Sequence, residues 1–257
     1  MSDVVSHIMK DQIYKLAARG MREDGRPFDK MRPMSIETNI IGPAEGSARV
    51  RLGDTDVFVG VKVELGTPFQ DRPTEGVLMT GAELRPIAHA DFETGPPQPP
   101  AVEISRVIDR GIRESQMIDL SKLCITPKEK VYMVFVDIEP LDYFGNIFDA
   151  GSAGAVAALK TAKVPAKRHG FGEDFPMPVR AHPVSVTFAK IGKHVMVDPT
   201  LREELVSDAR LTIVTDEKGD VRAMQKGLSG SFSYAEIKEC LLLATKLGKD
   251  IRAIKIG

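Results

Sequence analysis

A turn between a strand and a helix in the middle of the chain has the backbone of an anion-binding site. A run of β-branched and aromatic residues over 131–141 is followed by the turn Gly145-Asn146 and then by small residues typical of a tightly packed helix. Free backbone N–H groups at the start of such a helix, together with its dipole, attract phosphate and other anions. The backbone here is therefore suited to phosphate chemistry.

The side chains at this turn do not suit an incoming anion. A working phosphate site usually adds a hydroxyl group or an arginine to the backbone N–H groups. The positions here are Asn146, Ile147, Phe148 and Asp149. We expect the carboxylate of Asp149 to cap the helix and to repel a second anion. The sequence therefore predicts a degenerate phosphate site.

Three arginines could bind the backbone of a nucleic acid. The apolar periodicity predicts a helix over about 101–117, and Arg106, Arg110 and Arg113 fall on one stripe of it, at i, i+4 and i+7. The alternative is a solvated face on which arginines pair with acidic residues of the same helix. Arg106 and Arg110 repel each other at this spacing, and a bound phosphate would relieve the repulsion.

Composition limits the classes of function. The 257 residues allow one or two domains, and 42% apolar with 28% charged residues is ordinary for a globular protein. A net charge of −1 excludes a general polycation, so any contact with nucleic acid needs a local patch. We expect no membrane span and no signal peptide, and hence a cytoplasmic protein.

The remaining polar candidates are predicted to be structural. Cys124 and Cys240 have no metal-ligand spacing with the five histidines, so we expect reduced core cysteines and no metal or cofactor. The isolated histidines near prolines are expected to be structural as well. Two acidic residues that follow strands, Asp142 and Asp198, are expected to make turn or cap hydrogen bonds.

Periodicity and turn residues predict an α+β arrangement with strand groups followed by helices in both halves. The first half has a helix at 3–19, strands near 34–40, 48–52 and 57–63 with a hairpin at Gly53-Asp54, and a proline-rich loop at 85–100. The second half has a loop at 163–180, strands near 182–190, 195–197, 211–215 and 221–225, and a helix at 234–247 opened by a capping box at Ser233 and Glu236. No dinucleotide-binding or P-loop motif is present.

Several short motifs, taken in their order and spacing, resemble the RNase PH family. They are Arg22-Glu-Asp-Gly-Arg26 with Met31-Arg-Pro33, Gly46-Ser-Ala-Arg49 with Gly53-Asp-Thr55, Glu103-Ile-Ser-Arg-Val-Ile-Asp-Arg110, Asp142-Tyr-Phe-Gly145, and Val197-Asp198 followed by Glu203-Glu204. The resemblance implies an RNase PH-like (ribosomal protein S5 domain 2-like) α+β fold with two similar βαβα-type halves. It places an N-terminal extension at 1–30 and domains at 31–165 and 180–257.

The resemblance also implies what the chain has lost. Active members of the family shorten RNA from its 3′ end with inorganic phosphate, and they carry an arginine at the phosphate cradle and a catalytic aspartate later in the chain. The matching positions here hold Ile147 and Arg210. Two losses in one site predict no phosphorolysis by this chain. A register slip of two residues would offer Asp208 as an alternative acid.

Within the family, the chain is most similar to the non-catalytic ring subunits of archaeal exosomes. That similarity implies a hexameric ring of three heterodimers with a catalytic RNase PH-like subunit, RNA-binding cap proteins on one face, and single-stranded RNA that contacts Arg106, Arg110 and Arg113. Two alternatives stay open: an active phosphorolytic exoribonuclease that uses Asp208, and a stand-alone RNA-binding module.

Overall fold

The computed structural model describes residues 3–254 and arranges them in two β-sheets with helices between and beside them. The elements of the first half are α1 (Asp3–Ala18), β1 (Met34–Thr38), β2 (Gly46–Leu52), β3 (Thr55–Gly66), β4 (Val77–Ala82), α2 (Pro99–Glu114), β5 (Cys124–Thr126), β6 (Lys130–Asp142) and α3 (Ile147–Thr161). Those of the second half are β7 (Lys163–Val164), β8 (Phe175–Pro176), β9 (Val184–Ile191), β10 (His194–Val197), α4 (Leu201–Val206), β11 (Ala209–Thr215), β12 (Val221–Gly227) and α5 (Tyr234–Arg252).

The two sheets have different orders. The first has the order β1-β2-β3-β6-β4, with β5 paired to β6, and only β4 runs parallel to its neighbour. The second has the order β10-β9-β11-β12 and is antiparallel throughout. The short strands β7 and β8 form a separate pair in the loop between the halves.

The structure is built in four layers. Helices α2 and α3 pack on one face of the first sheet, and their other sides contact strands of the second sheet. Helix α5 covers the far face of the second sheet, where Cys240 and Ala244 join a core with Phe188 and Ile213. Because α3 lies between two sheets, both the first sheet and the second sheet fix its N-terminal turn.

Most of the elements predicted from periodicity are confirmed. The first helix, the β2–β3 hairpin, β6, α3 and the capping box at Ser233 and Glu236 appear where expected. Strand β4 was missed because it is an edge strand with no regular alternation of buried residues, and α4 was missed because it is only six residues long. The predicted domain boundaries at 31–165 and 180–257 stay a prediction.

The small residues of α3 are required by its position between the sheets. A Cβ atom built on Gly154 would lie 2.6 Å from Cγ2 of Val59 and 3.3 Å from Cγ2 of Val50. By contrast, a Cβ on Gly111 of α2 would meet Val214 at an ordinary 3.4 Å. The two helical glycines therefore differ in the space around them, although both sit at a sheet–helix contact.

This difference gives a prediction for a matched pair of variants. We expect Gly154→Ala to lower the free energy of unfolding by about 1–3 kcal/mol, because overpacking outweighs the gain in helix propensity. Gly111→Ala should leave it unchanged or raise it by up to about 1 kcal/mol. Urea unfolding followed by circular dichroism measures both. Equal effects of the two substitutions would contradict this account of the α3 packing.

Candidate functional site

The turn before α3 is held in a fixed conformation. Asn146 adopts a left-handed backbone with φ of 61°, and its side-chain oxygen accepts a hydrogen bond from the N–H of Asp149 at 3.3 Å. Gly145 also has a positive φ, and a Cβ there would lie 2.5 Å from the carbonyl carbon of Thr200 and 2.6 Å from the oxygen of Pro199. The turn is thus packed tightly against the loop that precedes α4.

A carboxylate of the chain itself occupies the anion position at this turn. The N–H of Asn146 donates to Oε1 of Glu204 at 2.8 Å, and the hydroxyl of Tyr143 donates to Oε2 at 2.5 Å. Burial raises the pKa of Glu204, although these two hydrogen bonds oppose the rise. The first N–H of the turn is therefore bound by an internal carboxylate, and the degenerate phosphate site stays a prediction.

The two proposed degenerate positions, Ile147 and Arg210, line one small cavity beside this carboxylate. Ile147 and Phe148 are buried, and the guanidinium of Arg210 stacks on the ring of Phe148 at 4.2 Å from its centroid. Arg210 also forms an ion pair with Glu103 of α2. The space left between them is a cavity of about 80 Å³, which Glu204 also lines. An arginine thus stands where the resemblance places an acid.

The expectation for Asp149 was wrong in its detail. Asn146 caps the helix, and the carboxylate of Asp149 is buried against the second sheet. It accepts hydrogen bonds from the backbone N–H and hydroxyl of Thr187 at 2.9 and 2.7 Å, and from the side-chain amide of Asn146 at 2.8 Å. The first turn of α3 faces β9, so this carboxylate joins the two halves and is turned away from an approaching ligand.

Asp198 also has a different role from the one expected. Its carboxylate is fully buried and accepts hydrogen bonds from Arg26 at 2.9 Å, from Arg32 at 2.7 Å and from the side chain of Asn146 at 2.8 Å. Burial alone would raise the pKa of Asp198, but the hydrogen bonds and charge of Arg32 hold it below its usual value. Asp198 is therefore the ionised centre of a network, and not a simple turn residue.

This network includes residues of several motifs that carry the family resemblance. Arg32 also donates to the carbonyls of Phe144 and Gly145 at 3.0 and 3.1 Å. The hydroxyl of Thr55 donates to the same Gly145 carbonyl at 2.7 Å. Buried Arg22 binds Glu203 through two hydrogen bonds of 2.9 and 2.5 Å. These motif residues thus support the turn from inside the fold.

The sequence reasoning missed this network and the position of Glu204. One signal was available, since the motifs concentrate charged residues next to apolar runs, where a charge is buried only if it is paired. The sequence does not show which charged residues pair with each other, because the partners lie more than 50 residues apart, as for Asn146 and Glu204 or Arg32 and Asp198.

Two of the three predicted arginines line one groove. Arg106 and Arg110 face a surface groove of about 510 Å³ between α2 and β12, with Pro97 and Pro99 at one end, and Arg110 donates to Gln225. Arg113 does not line this groove. Its guanidinium donates twice to Asp109 at 3.0 Å and once to the carbonyl of Leu78 at 3.0 Å. Only Arg106 and Arg110 therefore share the groove, because the ion pair with Asp109 turns the guanidinium of Arg113 towards β4.

The alternative acid does not face the candidate site. Asp208 accepts hydrogen bonds from the hydroxyl of Tyr14 at 2.5 Å and from the N–H of Gly192 at 2.7 Å. Both contacts hold it against α1 and the β9–β10 turn. An exoribonuclease that uses Asp208 is therefore disfavoured.

The other titratable residues form no site in the part of the chain described. Both cysteines are free, and burial raises the pKa of Cys240 to about 12. Burial and the charges of Lys160 and Arg252 lower the pKa of His182 to about 4. Within residues 3–254, no three His, Cys, Asp or Glu side chains gather as a metal site, and no helix is long and apolar enough to cross a membrane.

Comparisons with known proteins agree along nearly the whole chain. Residues 30–165 match the family model described as 3′ exoribonuclease family, domain 1, and residues 181–246 match domain 2 of the same family. The exosome complex component Rrp42 of Methanocella arvoryzae is 48% identical over 250 residues, which are 97% of this chain and 96% of that protein.

Solved structures are similar to the same extent. A chain of the Archaeoglobus fulgidus exosome, solved with RNA bound to the active site, has a TM-score of 0.94 and 46% identity, and the alignment covers 97% of this chain and 98% of that one. A chain of an archaeal exosome core has a TM-score of 0.90 and 43% identity over 97% of both chains.

The buried Asp149 gives a prediction about pH. Burial raises its pKa to about 7, against an ordinary value of 3.8, so the folded chain holds this proton more tightly than the unfolded chain. The carboxyl therefore contributes most stability below about pH 4 and loses that contribution as the pH rises to about 7, by at most about 1.4 kcal/mol per pH unit.

The test compares the natural chain with Asp149→Asn, whose amide can keep the same partners without titrating. Denaturant unfolding from pH 5 to 8 should show the natural chain losing stability relative to the variant between pH 5 and 7. Other groups titrate alike in both chains, so they cancel in the difference. Parallel stability curves over the whole range would refute the assignment.

Proposed function

The chain belongs to the RNase PH family of 3′ exoribonucleases, and we propose that it is a non-catalytic subunit of an exosome ring that degrades RNA from its 3′ end. One observation carries the non-catalytic part. The positions at which the resemblance places a cradle arginine and a catalytic acid hold the buried Ile147 and Arg210, which stacks on Phe148. A phosphate at the turn would lack that arginine and would also meet the carboxylate of Glu204, which already accepts the N–H of Asn146.

We further propose that the chain pairs with a catalytic RNase PH-like subunit, as three heterodimers in a hexameric ring with RNA-binding cap proteins on one face. The similarity to chains of archaeal exosome cores supports this assembly. A cytoplasmic location is part of the same proposal. In such a pair, this chain would hold walls of the partner's pocket in place, and misplacement by about 1 Å can reduce a rate about a hundredfold.

Arg106 and Arg110 are the proposed contacts to RNA. They lie in one groove, and the guanidinium of Arg110 donates to the neutral side chain of Gln225, so its charge is left for a phosphate. Arg113 is left out of this proposal because it is paired with Asp109. The groove offers two cations about one helical turn apart, which suits adjacent phosphates of a single strand.

The proposal is tested by activity with and without a catalytic partner from the same organism. We expect the pure chain to release no nucleoside diphosphates from RNA in the presence of phosphate. Adding it to the partner should raise the partner's turnover until the two are equimolar. Phosphate-dependent decay by this chain alone would make it an enzyme. Failure of the two chains to form a complex, measured by native mass, would favour the stand-alone RNA-binding module.

A second prediction concerns the two arginines. The double variant Arg106→Glu with Arg110→Glu should weaken RNA binding by the assembled complex and flatten its salt dependence by about one unit of slope per lost contact. The matched control is Lys238→Glu with Lys246→Glu on α5, which makes the same change of charge on an exposed surface far along the chain. Equal salt-dependence slopes for the two double variants would mean that Arg106 and Arg110 lie on a solvated face that does not contact RNA.

A further inference from the structure

A ridge of prolines separates two grooves of different character. Pro97 lines both the groove of Arg106 and Arg110 and a larger cavity of about 670 Å³ on its other side. This second cavity, which we name the acidic pocket, lies between the 83–98 loop, the start of α2 and α4. Its apolar lining includes Leu84, Phe92, Pro100, Tyr143, Leu201 and Leu205. The proposed function makes no use of it.

The floor of the acidic pocket is a cluster of three rings. Phe92 stacks on Tyr143 with centroids 5.3 Å apart, and His89 meets both rings at 5.7 and 5.8 Å. The hydroxyl of Tyr143 donates to Glu204, and the backbone N–H of Tyr143 donates to the carbonyl of Ala88 at 3.1 Å. The ring cluster is thus fixed before any ligand arrives, which lowers the entropy lost on binding.

The rim of the acidic pocket is negatively charged. Glu83, Asp91 and Glu93 all line it. The cation on the same rim, Arg85, is already paired with Glu83 and lies 3.4 Å from Glu139. The rim therefore keeps unneutralised negative charge, whereas the groove across the proline ridge carries two arginines. RNA phosphates would be repelled from one side and attracted to the other.

Apolar surface is exposed at the same place. Leu205 of α4 is 53% exposed although it lines the pocket, and Ile87, which belongs to the same 83–98 loop but does not line the pocket, is 72% exposed. A volume of about 670 Å³ is large enough to bury one or two side chains of a partner. Exposed apolar residues beside a preformed aromatic floor are the usual anchor points of a protein interface.

We propose that the acidic pocket docks a segment of another protein that carries a large apolar residue flanked by lysine or arginine. The apolar residue would pack on Phe92, Tyr143 and Leu205, and the flanking cations would face Asp91 and Glu93. The proline ridge would thus divide an RNA-binding side from a protein-binding side of the same chain. This assignment goes beyond a role in RNA degradation, and it does not depend on whether Arg106 and Arg110 bind RNA.

The test uses the full chain and synthetic peptides. The probe is Gly-Ser-Arg-Leu-Arg-Ser-Gly, with Gly-Ser-Glu-Leu-Glu-Ser-Gly and a six-residue oligouridine as comparisons. With methyl-labelled protein, the basic peptide should shift the NMR signals of Leu84, Leu201 and Leu205 with a dissociation constant of about a millimolar or below. The acidic peptide and the oligouridine should leave these signals in place.

Two pairs of variants locate the binding. Leu205→Asp should weaken binding of the basic peptide about tenfold, whereas Leu242→Asp, at a 67% exposed position on α5, should not change it. Asp91→Lys with Glu93→Lys should also weaken it, whereas Glu173→Lys with Glu239→Lys, at exposed positions elsewhere, should not. Thermal unfolding of each variant shows that the fold is retained.

Three outcomes would overturn the proposal. They are the absence of shifts with the basic peptide, equal shifts with the acidic peptide, and equal weakening by the pocket and control variants. Shifts of the same methyl signals by oligouridine alone would instead assign the pocket to RNA. Each outcome is independent of the activity measurements, because the probe contains no substrate of the proposed ring.

Discussion

A carboxylate with no exposure to water stays ionised only where several donors surround it, and Asp198 meets this requirement at the junction of the two halves. Arg26 and Arg32 reach it from the segment before β1, and Asn146 reaches it from the turn before α3. Removing one partner of such a group typically costs about 3–5 kcal/mol, because the other charge is left buried and uncompensated. The segment before β1, the turn and the end of β10 are therefore fixed together.

This constraint also fixes the geometry of the turn before α3. Arg32 binds Asp198 and also holds the carbonyls of Phe144 and Gly145, so the turn keeps its shape without a ligand. Beside the turn, Glu204 accepts the N–H of Asn146 and Arg210 stacks on the ring of Phe148, so a negative and a positive side chain of the chain itself lie where an anion would approach.

Local rules in the sequence were sufficient for most of the elements, such as the small residues of α3 and the capping box of α5. The proposed degenerate positions Ile147 and Arg210 came from the resemblance to the RNase PH family. Asp149 was misassigned because a capping rule considers only the helix itself, whereas Thr187 of β9 competes for its carboxylate. The role of Glu204 could not be predicted, since its partner Asn146 lies 58 positions earlier in the chain.

The central claim is that the chain's own side chains fill its anion site, and binding of inorganic phosphate tests it most directly. Phosphorus-31 NMR and titration calorimetry on the pure chain, at constant ionic strength set with chloride, would measure that binding. The account predicts no saturable binding up to about 10 mM, a concentration at which a site with a millimolar dissociation constant would be about nine-tenths occupied. Saturable binding that is lost on changing Asn146 or Arg210 would contradict the account, because it would mean that the site is open.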